Sequence, residues 1–448
     1  MSSSPRFPIA AALAALAATS SVVPAATMRA GDAPASERER TAYSPEAATV
    51  IETLRILRDP DAPAQDELLR ALLPAARSTV PLLFDVLASR RVPTHDGEPA
   101  QALSIYQEEL TLAALGKLPA SRVLAQVDTA LEVSESARVR RAAIRVLGVA
   151  GSSSAGRRML LLARPAPEGD ASPDLEIDRA TREALREGLA DLLEREPSAM
   201  GTLKSLRRDA GHDGTIAILR AVGDSRDDRG YDVVLDVLRW TPALAQEALA
   251  QIARLRVPED AGSTAALRRH VSGLLDASDV AVARSAALAL AHMNDLESLP
   301  GLIELLADDN EGLRRTVHGA LVKMTGVRLS ARSDSWERWH RREQAWMGAD
   351  ALACERALES SDPGRVAAAL REGLAHPLFR ATLVESMRQQ LVNMNDDIRS
   401  LACGALADAG ANAAVEDLAA RERDPSAKVR ASAREALGRL GVVVDERG

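Results

Sequence analysis

Five stretches of the chain repeat one pattern of apolar and polar positions: "SARVRRAAIRVLGVAG", "DVAVARSAALALAHMN", "NEGLRRTVHGALVKMTG", "NDDIRSLACGALADAG" and "PSAKVRASAREALGRLG". With Val139, Ala283, Leu313, Ile398 and Val429 as anchors, small or apolar residues recur four positions on, at Ala143, Ala287, Val317, Ala402 and Ala433. They recur again seven and eight positions on, at Val146-Leu147, Leu290-Ala291, Ala320-Leu321, Ala405-Leu406 and Ala436-Leu437. At about 100° per residue these side chains fall on one stripe of an α-helix, whereas a strand would divide them between two faces. The ends agree with the stripe. Five residues before each anchor stand Ser134, Ser278, Asp308, Asn393 and Asp424, types that accept from free N–H groups where a helix starts, and Pro425 suits a first turn. Gly151, Gly326, Gly410 and Gly441 follow the stripe, where a left-handed residue ends a helix.

Second helical stretches, "LESLPGLIELLA" (296–307) and "AAVEDLAARERD" (413–424), lie between these helices, so the predicted unit is helix, turn, helix. Anchors 283 to 313 and 398 to 429 are 30 and 31 residues apart, and the interval 139 to 283 is expected to hold four more degenerate copies of about 36 residues. One unit cannot stand alone. Four or five buried aliphatic groups contribute roughly 5 kcal/mol, against an ordering cost of about 1–2 kcal/mol for each of some thirty residues. Stacking buries both sides of each pair and makes folding favourable.

The pattern D/S-x4-V-R-x2-A-x2-A-L-G, present as "DPSAKVRASAREALG", resembles the first helix of a HEAT repeat, in the short Ala-rich form shared with phycobilisome-lyase-type repeats of exported bacterial proteins. The resemblance covers roughly 45 to 440, strongly at the five copies. It implies an all-α fold, a right-handed α-α superhelix (HEAT/armadillo-like solenoid) of about ten or eleven helix pairs with one concave and one convex face. It implies no activity. The residue after each anchor is always Arg (Arg140, Arg284, Arg314, Arg399, Arg430), and the resemblance makes this ladder structural, each Arg pairing with Asp or carbonyl groups of an adjoining repeat.

The N-terminus changes the picture of where the chain acts. "MSSSPRFPIAAALAALAATSSVVPAATM" begins with Arg6, continues with an apolar run from Ile9 to Ala18, and ends in Val23-Pro24-Ala25. That is the layout of a secretory signal peptide over 1–25, too short to span a membrane. A disordered linker over 26–43 and a repeat domain over 44–448 are expected to follow, with a long surface loop at 164–174 ("RPAPEGDASPD"). Loss of 1–25 removes one base and no acid, leaving 55 basic against 64 acidic residues. A net-acidic chain lacks the field that drives phosphate-backbone binding, which argues against nucleic acid as partner.

Reactive chemistry is sparse. "GSSSAGRR" (Gly151 to Arg158) lacks the Lys and Ser/Thr of a phosphate loop and is read as a turn between helices. His95-Asp96-Gly97 and His212-Asp213-Gly214 set a carboxylate beside an imidazole in expected turns, without further ligands. Cys354 and Cys403 sit in Ala-rich helical stretches and read as small core residues. No catalytic residue, metal ligand or cofactor is assigned.

The chemistry that remains is aromatic. Aromatics are 2% of the chain, yet "DSWERWHRREQAW" (334–346) holds three of the four tryptophans. Asp334 and Glu337 read as a capping box. Trp336, Trp339 and Trp346 then span an arc of about 80°. The 85 residues between anchors 313 and 398 exceed two units, so an insertion near 327–347 is expected. We read the indoles as core that fills a wider gap in an Ala-sized seam. The alternative is a partner-binding patch of Trp336, Trp339, His340 and Trp346, flanked by Arg341 and Arg342. The function expected from the whole is a non-catalytic, exported scaffold that presents an extended concave surface to a protein partner. The alternative is a lyase-related protein binding a tetrapyrrole or other small ligand, for which ten aromatic residues are few.

Overall fold

The computed structural model describes residues 44–56, 73, 79–93, 99–134, 136–164, 177–258 and 261–442, and they are overwhelmingly helical. The segments 1–25 and 26–43, the His95-Asp96-Gly97 turn and nearly all of the 164–174 loop lie outside the described residues. The helices fall into two compact units, divided within one helix between Asp236 and Val237, with Arg254–Arg256 returning to the first unit.

The first unit contains α1 (Pro45–Ile56), α2 (79–89), α3 (Ile105–Gly116), α4 (Ala120–Val133), α5 (Ala137–Ala150), α6 (Ala155–Ala163), α7 (Arg179–Arg195), α8 (Ala199–Leu206), α9 (Gly211–Ser225) and most of α10 (Gly230–Trp240). Between α2 and α3 a two-residue antiparallel ladder pairs Arg91 with Ala102 and Val92 with Gln101. The second unit contains α11 (Ala245–Ile252), α12 (Ala261–Gly273), α13 (Val280–His292), α14 (Leu299–Glu304), α15 (Glu311–Thr325), α16 (Ser333–Ala349), α17 (Ala351–Leu358), α18 (Pro363–Ala375), α19 (Arg380–Gln389), α20 (Asp396–Asp408), α21 (Val415–Arg421) and α22 (Ala427–Arg439).

Alternate helices pack on one another. In the first unit α3, α5, α7 and α9 form a first row, with α6 on α8 behind it. In the second unit α11, α13 and α15 pack on one another in the same manner, and so do α18, α20 and α22. The repeated stripe is the contact surface. All the residues at four, seven and eight positions past the anchors are buried, as are the anchors themselves apart from half-buried Val139. Among the described residues between Val139 and Ala283 there are three intervening pairs, α7–α8, α9–α10 and α11–α12, rather than the four expected, because four steps of the period enclose three pairs.

Small residues set how closely the rows approach. A Cβ added to Gly148 would stand 2.8 Å from Gly188 Cα and closer still to Gly188 O, so α5 and α7 touch backbone to backbone. Alanine elsewhere in the seam keeps neighbouring helices toward the short end of the ~8–10 Å interaxial range.

The helix starts differ from the sequence reading by two residues in four copies and by one at α13, where Asp279 rather than Ser278 is the cap, and the two-residue difference has a structural reason. The N-caps are Ser136, Asn310 and Asn395, whose side chains accept from the N–H groups of Val139, Leu313 and Asp397. The residues two places earlier cap nothing. Instead Ser134, Asp308, Asn393 and Asp424 accept from the N–H of residues 136, 310, 395 and 426, closing a turn that aims the chain into the helix. Pro425 therefore precedes the cap of α22, Ser426, whereas Pro300 of α14 and Pro363 of α18 do stand in first turns. At the far ends Gly326, Gly410 and Gly441 take positive φ, whereas Gly151 is extended.

The Arg ladder closes the same turns. One guanidinium nitrogen of Arg314 donates to Asp308 O and Asp309 O, one of Arg399 to Asn393 O and Met394 O, and one of Arg430 to Asp424 O and Pro425 O. These carbonyls lie in the turn leading into the arginine's own helix, not in an adjoining repeat. Arg399 also reaches forward, donating through Nε (2.9 Å) and a terminal nitrogen (2.8 Å) to the Asp424 carboxylate. Arg140 bonds Arg164 O, and Arg284 is exposed. The Arg399 fork holds the Asp424 carboxyl, whose side chain is 1% exposed, below the usual carboxylate range.

Two outcomes follow. Gly148→Ala forces α5 and α7 apart, and urea unfolding of the first unit should show a loss of about 1–3 kcal/mol. Asp424→Ala leaves the Arg399 fork and the Ser426 N–H unmet, and should cost about 2 kcal/mol in the second unit. Because the Asp424 pKa is lowered on folding, its contribution is complete above the ordinary carboxylate value and fades as pH falls through the folded one. A melting-temperature series on Asp424→Asn should be flatter than wild type in that acid window.

Candidate functional site

α16 is the helix that departs from the repeat. It packs on α14 and on α17, and α17 packs on α18 and α19, so two second-row helices follow one another where the repeat supplies one. This is what stretches the interval between anchors 313 and 398. α16 begins at Ser333, with Arg332 at the cap position, so Asp334 is not the cap expected of it. Asp334 instead pairs with Arg332 (3.0 Å) and Arg338 (3.6 Å), and Glu337 accepts from Ser333 Oγ (2.6 Å).

The indoles divide into two groups. Trp336 is 0% exposed and Trp339 6%. Trp336 meets His318 edge-on at 6.0 Å and Trp339 at 5.5 Å, and donates from Nε1 to Ser330 O (3.0 Å). His318 Nε2 bonds Leu329 O (2.8 Å), so the loop before α16 is pinned from both sides. Burial leaves these two rings unable to meet a partner. Half-buried Trp346 lies a turn and more away, stacked on His376 at 3.8 Å and edge-on to Phe379 at 5.1 Å, against α18 and α19.

Around Trp346 stands a polar cluster that the sequence gives little sign of. His376 Nδ1 bonds Glu343 Oε1 (3.1 Å), and its Nε2 lies 3.5 Å from Glu372 Oε1, which also accepts from Trp346 Nε1 (3.1 Å). Glu343 is buried because it shares the face of Trp336 and Trp339, and its Oε2 has no hydrogen-bond partner, a desolvation cost carried by the fold. Half-buried His340 lies 6.4 Å from the Trp339 ring, and burial holds its pKa below the usual histidine value against the pull of Glu343. The signal for Glu343 was its helical spacing from Trp336 and Trp339; its partners come from 33 residues away.

The opposite face of α16 is basic. Arg338, Arg341, Arg342, Ser335 and Ala345, with Leu329 from the preceding loop, line a groove of about 660 Å3. Arg341 and Arg342 are exposed and make no ion pair among the described residues. Of the expected patch, then, the structure buries Trp336 and Trp339, turns Trp346 toward His376, and leaves the arginines facing solvent.

Other grooves are smaller or self-neutralised. One of about 420 Å3 lies between α6 and α8, lined by Arg157, Leu160, Leu161, Arg164, Leu206 and Asp209. Another of about 210 Å3 lies between α19 and α21, with Arg388, Leu391, Val392, Asp417 and Arg421 among its walls. A first-row cleft of about 610 Å3 sets Arg138, Arg141 and Arg145 of α5 against Glu183 and Glu187 of α7. There Arg145 bonds Glu187 and lies 3.4 Å from Asp191, whose carboxyl burial holds above its usual range. None of these four grooves is lined by an aromatic ring.

Second-row helices are stitched by ion pairs at near-repeat spacing: Lys204–Asp232, Arg207–Asp236 and Arg388–Asp417, 28 or 29 residues apart. His212-Asp213 opens α9 rather than forming a turn, with Asp213 accepting from Ile177 N (2.9 Å) and pairing with Arg182 at the start of α7. Residues 151–154 turn between α5 and α6. Cys354 and Cys403 are free and buried, and burial pushes the Cys403 thiol up to about 11. Among the described residues no group of three His, Cys, Asp or Glu is placed to hold a metal ion, and no helix is long and apolar enough to cross a membrane.

Paired helices, Ala-lined stripes and turns closed by Arg314, Arg399 and Arg430 give the chain an all-α, HEAT-like helical-repeat fold. No protein-family model matches it, and no curated protein matches it. Among solved structures it is similar to an engineered protein (15% identity, 88% of this chain and 100% of the other, TM-score 0.29). It is similar also to a structure of Kap95p binding RanGDP (13%, 89% and 56%, TM-score 0.33) and to Kap121p (12%, 88% and 45%, TM-score 0.34). The chain spans about half the length of those last two matches. At such TM-scores the assignment rests on the repeat geometry of this chain.

Trp336→Ala should lower the stability of the second unit by about 3–5 kcal/mol, the range for a fully buried large aromatic, measured by urea unfolding. Trp346→Ala should cost less, since its ring is only half-buried. Equal losses for the two would contradict this division of the indoles.

Proposed function

We propose that the chain is a non-catalytic, exported scaffold that holds a protein partner along its second-row helices. The observation that carries the reading is a solvent-open groove between second-row helices in each unit taken by itself, mixing arginine with aliphatic side chains. The α6–α8 groove displays Leu161, 55% exposed, and the α19–α21 groove displays Val392, 72% exposed. Apolar groups held open beside cations are the composition of a partner surface, where aliphatic contact supplies affinity and arginine supplies direction. A repeat array suits this role because its affinity comes from area spread over several units. The signal-like sequence of residues 1–25 is what supports the exported part of this reading.

A photo-crosslinking amino acid at Leu161 or Val392 tests the reading in the native host. Adducts with another protein should form at both positions, in the exported fraction, on a chain whose N-terminus lies beyond residue 25. Leu288, equally open to solvent but on first-row α13, should give none. Adducts at Leu288 alone, or at no position, would overturn the scaffold. A cytoplasmic chain beginning at Met1 would overturn export.

A further inference from the structure

We propose that the α16 groove is a docking site for an extended acidic segment of a protein partner, gripped by Arg338, Arg341 and Arg342; this rests on the scaffold reading above. Three observations support it. First, residues 338, 341, 342 and 345 are three, four and seven positions apart, so they share one helical face with β-carbons about 5–6 Å apart. Alternate side chains of an extended peptide lie about 6.6 Å apart on one side, so consecutive outward carboxylates can each meet one guanidinium.

Second, the charges are available. Arg399 and Arg388 bond Asp424 and Asp417 across repeats, whereas Arg341 and Arg342 are exposed without an ion pair among the described residues. In a chain of formal net charge −8, two uncompensated arginines beside a third are a local reversal of sign. A planar guanidinium bonds a carboxylate in two places, which a hydrated lysine would not do.

Third, the groove is preformed. Its far wall, Leu329, belongs to the loop whose carbonyls bond His318 and Trp336, and its floor is a helix anchored by two buried indoles. Little ordering is left to do when a ligand arrives, and that raises affinity for a given set of contacts. Leu329 and Ala345 offer apolar surface to the stems of Glu side chains. Exposed Asp334 and Glu337 lie on the same helix, so the positive field is short and suits a few carboxylates better than a long phosphate chain.

The test uses the full chain as folded protein and a fluorescein-labelled octapeptide alternating Glu and Ala, read by anisotropy. Saturable binding is expected, weakened by about 10-fold or more in an Arg341→Glu, Arg342→Glu double variant. Raising salt to roughly 0.3 M should weaken it as well. The Gln-Ala peptide should not bind, and Arg365→Glu with Arg371→Glu, two exposed arginines of α18, should leave binding unchanged. Because Arg341 and Arg342 are exposed, the double variant should melt with wild type, which separates lost docking from lost folding. No saturable binding overturns the proposal, as does binding indifferent to the double variant. Equal affinity for a dT oligonucleotide overturns it too, since that would show a nonspecific polyanion surface. Crosslinks at Leu161 and Val392 persisting without peptide binding would defeat the groove alone, while loss of both would defeat the scaffold.

Discussion

Everything in this protein depends on a seam made of side chains too small to hold one helix pair together. Ala143, Ala287, Ala402 and Ala433 are each fully buried, yet each removes only a methyl group from water. Their value is geometric. A helix faced with alanine, or with glycine at Gly148 and Gly188, lets its neighbour approach until backbone meets backbone, and dispersion and excluded water then act along the whole length. Stability therefore lies between repeats, and each pair is as secure as the two beside it.

Such a seam makes the turns matter. A helix shifted along its axis would set alanine against leucine and open voids, so the start of each first-row helix has to be fixed. At α15 and α20 the chain does this with two polar side chains, one shaping the turn and one capping the helix, and with an arginine that reaches back to the turn's carbonyls. Arg399 goes further and joins one turn to the carboxylate of the next. Polar groups at a repeat boundary here perform the registration that large apolar residues perform in an ordinary core.

α16 shows what happens where the seam is interrupted. With two second-row helices in succession the gap is wider than alanine can fill, and Trp336 and Trp339 occupy it. The same helix cannot bury all its faces, and the side left over carries arginines instead of the Arg–Asp stitching that other second-row helices use. Packing and surface chemistry at this point are two sides of one irregularity.

The apolar stripe, the helical class and the repeat period were legible from residues alone, because a period of three to four is a local property that neighbours in space cannot alter. The clustering of tryptophans marked the irregular segment for the same reason. Other features depended on residues brought together from a distance. Ser134, Asp308, Asn393 and Asp424 look like caps in one dimension, and only the path of the chain shows them shaping the preceding turn. Glu343 is an ordinary helical glutamate until His376 folds against it, and Arg341 and Arg342 differ from Arg388 only in having no acid opposite. Local spacing determines which face a side chain occupies; what stands across from that face is decided by packing, and that is where burial, pairing and openness to a partner arise.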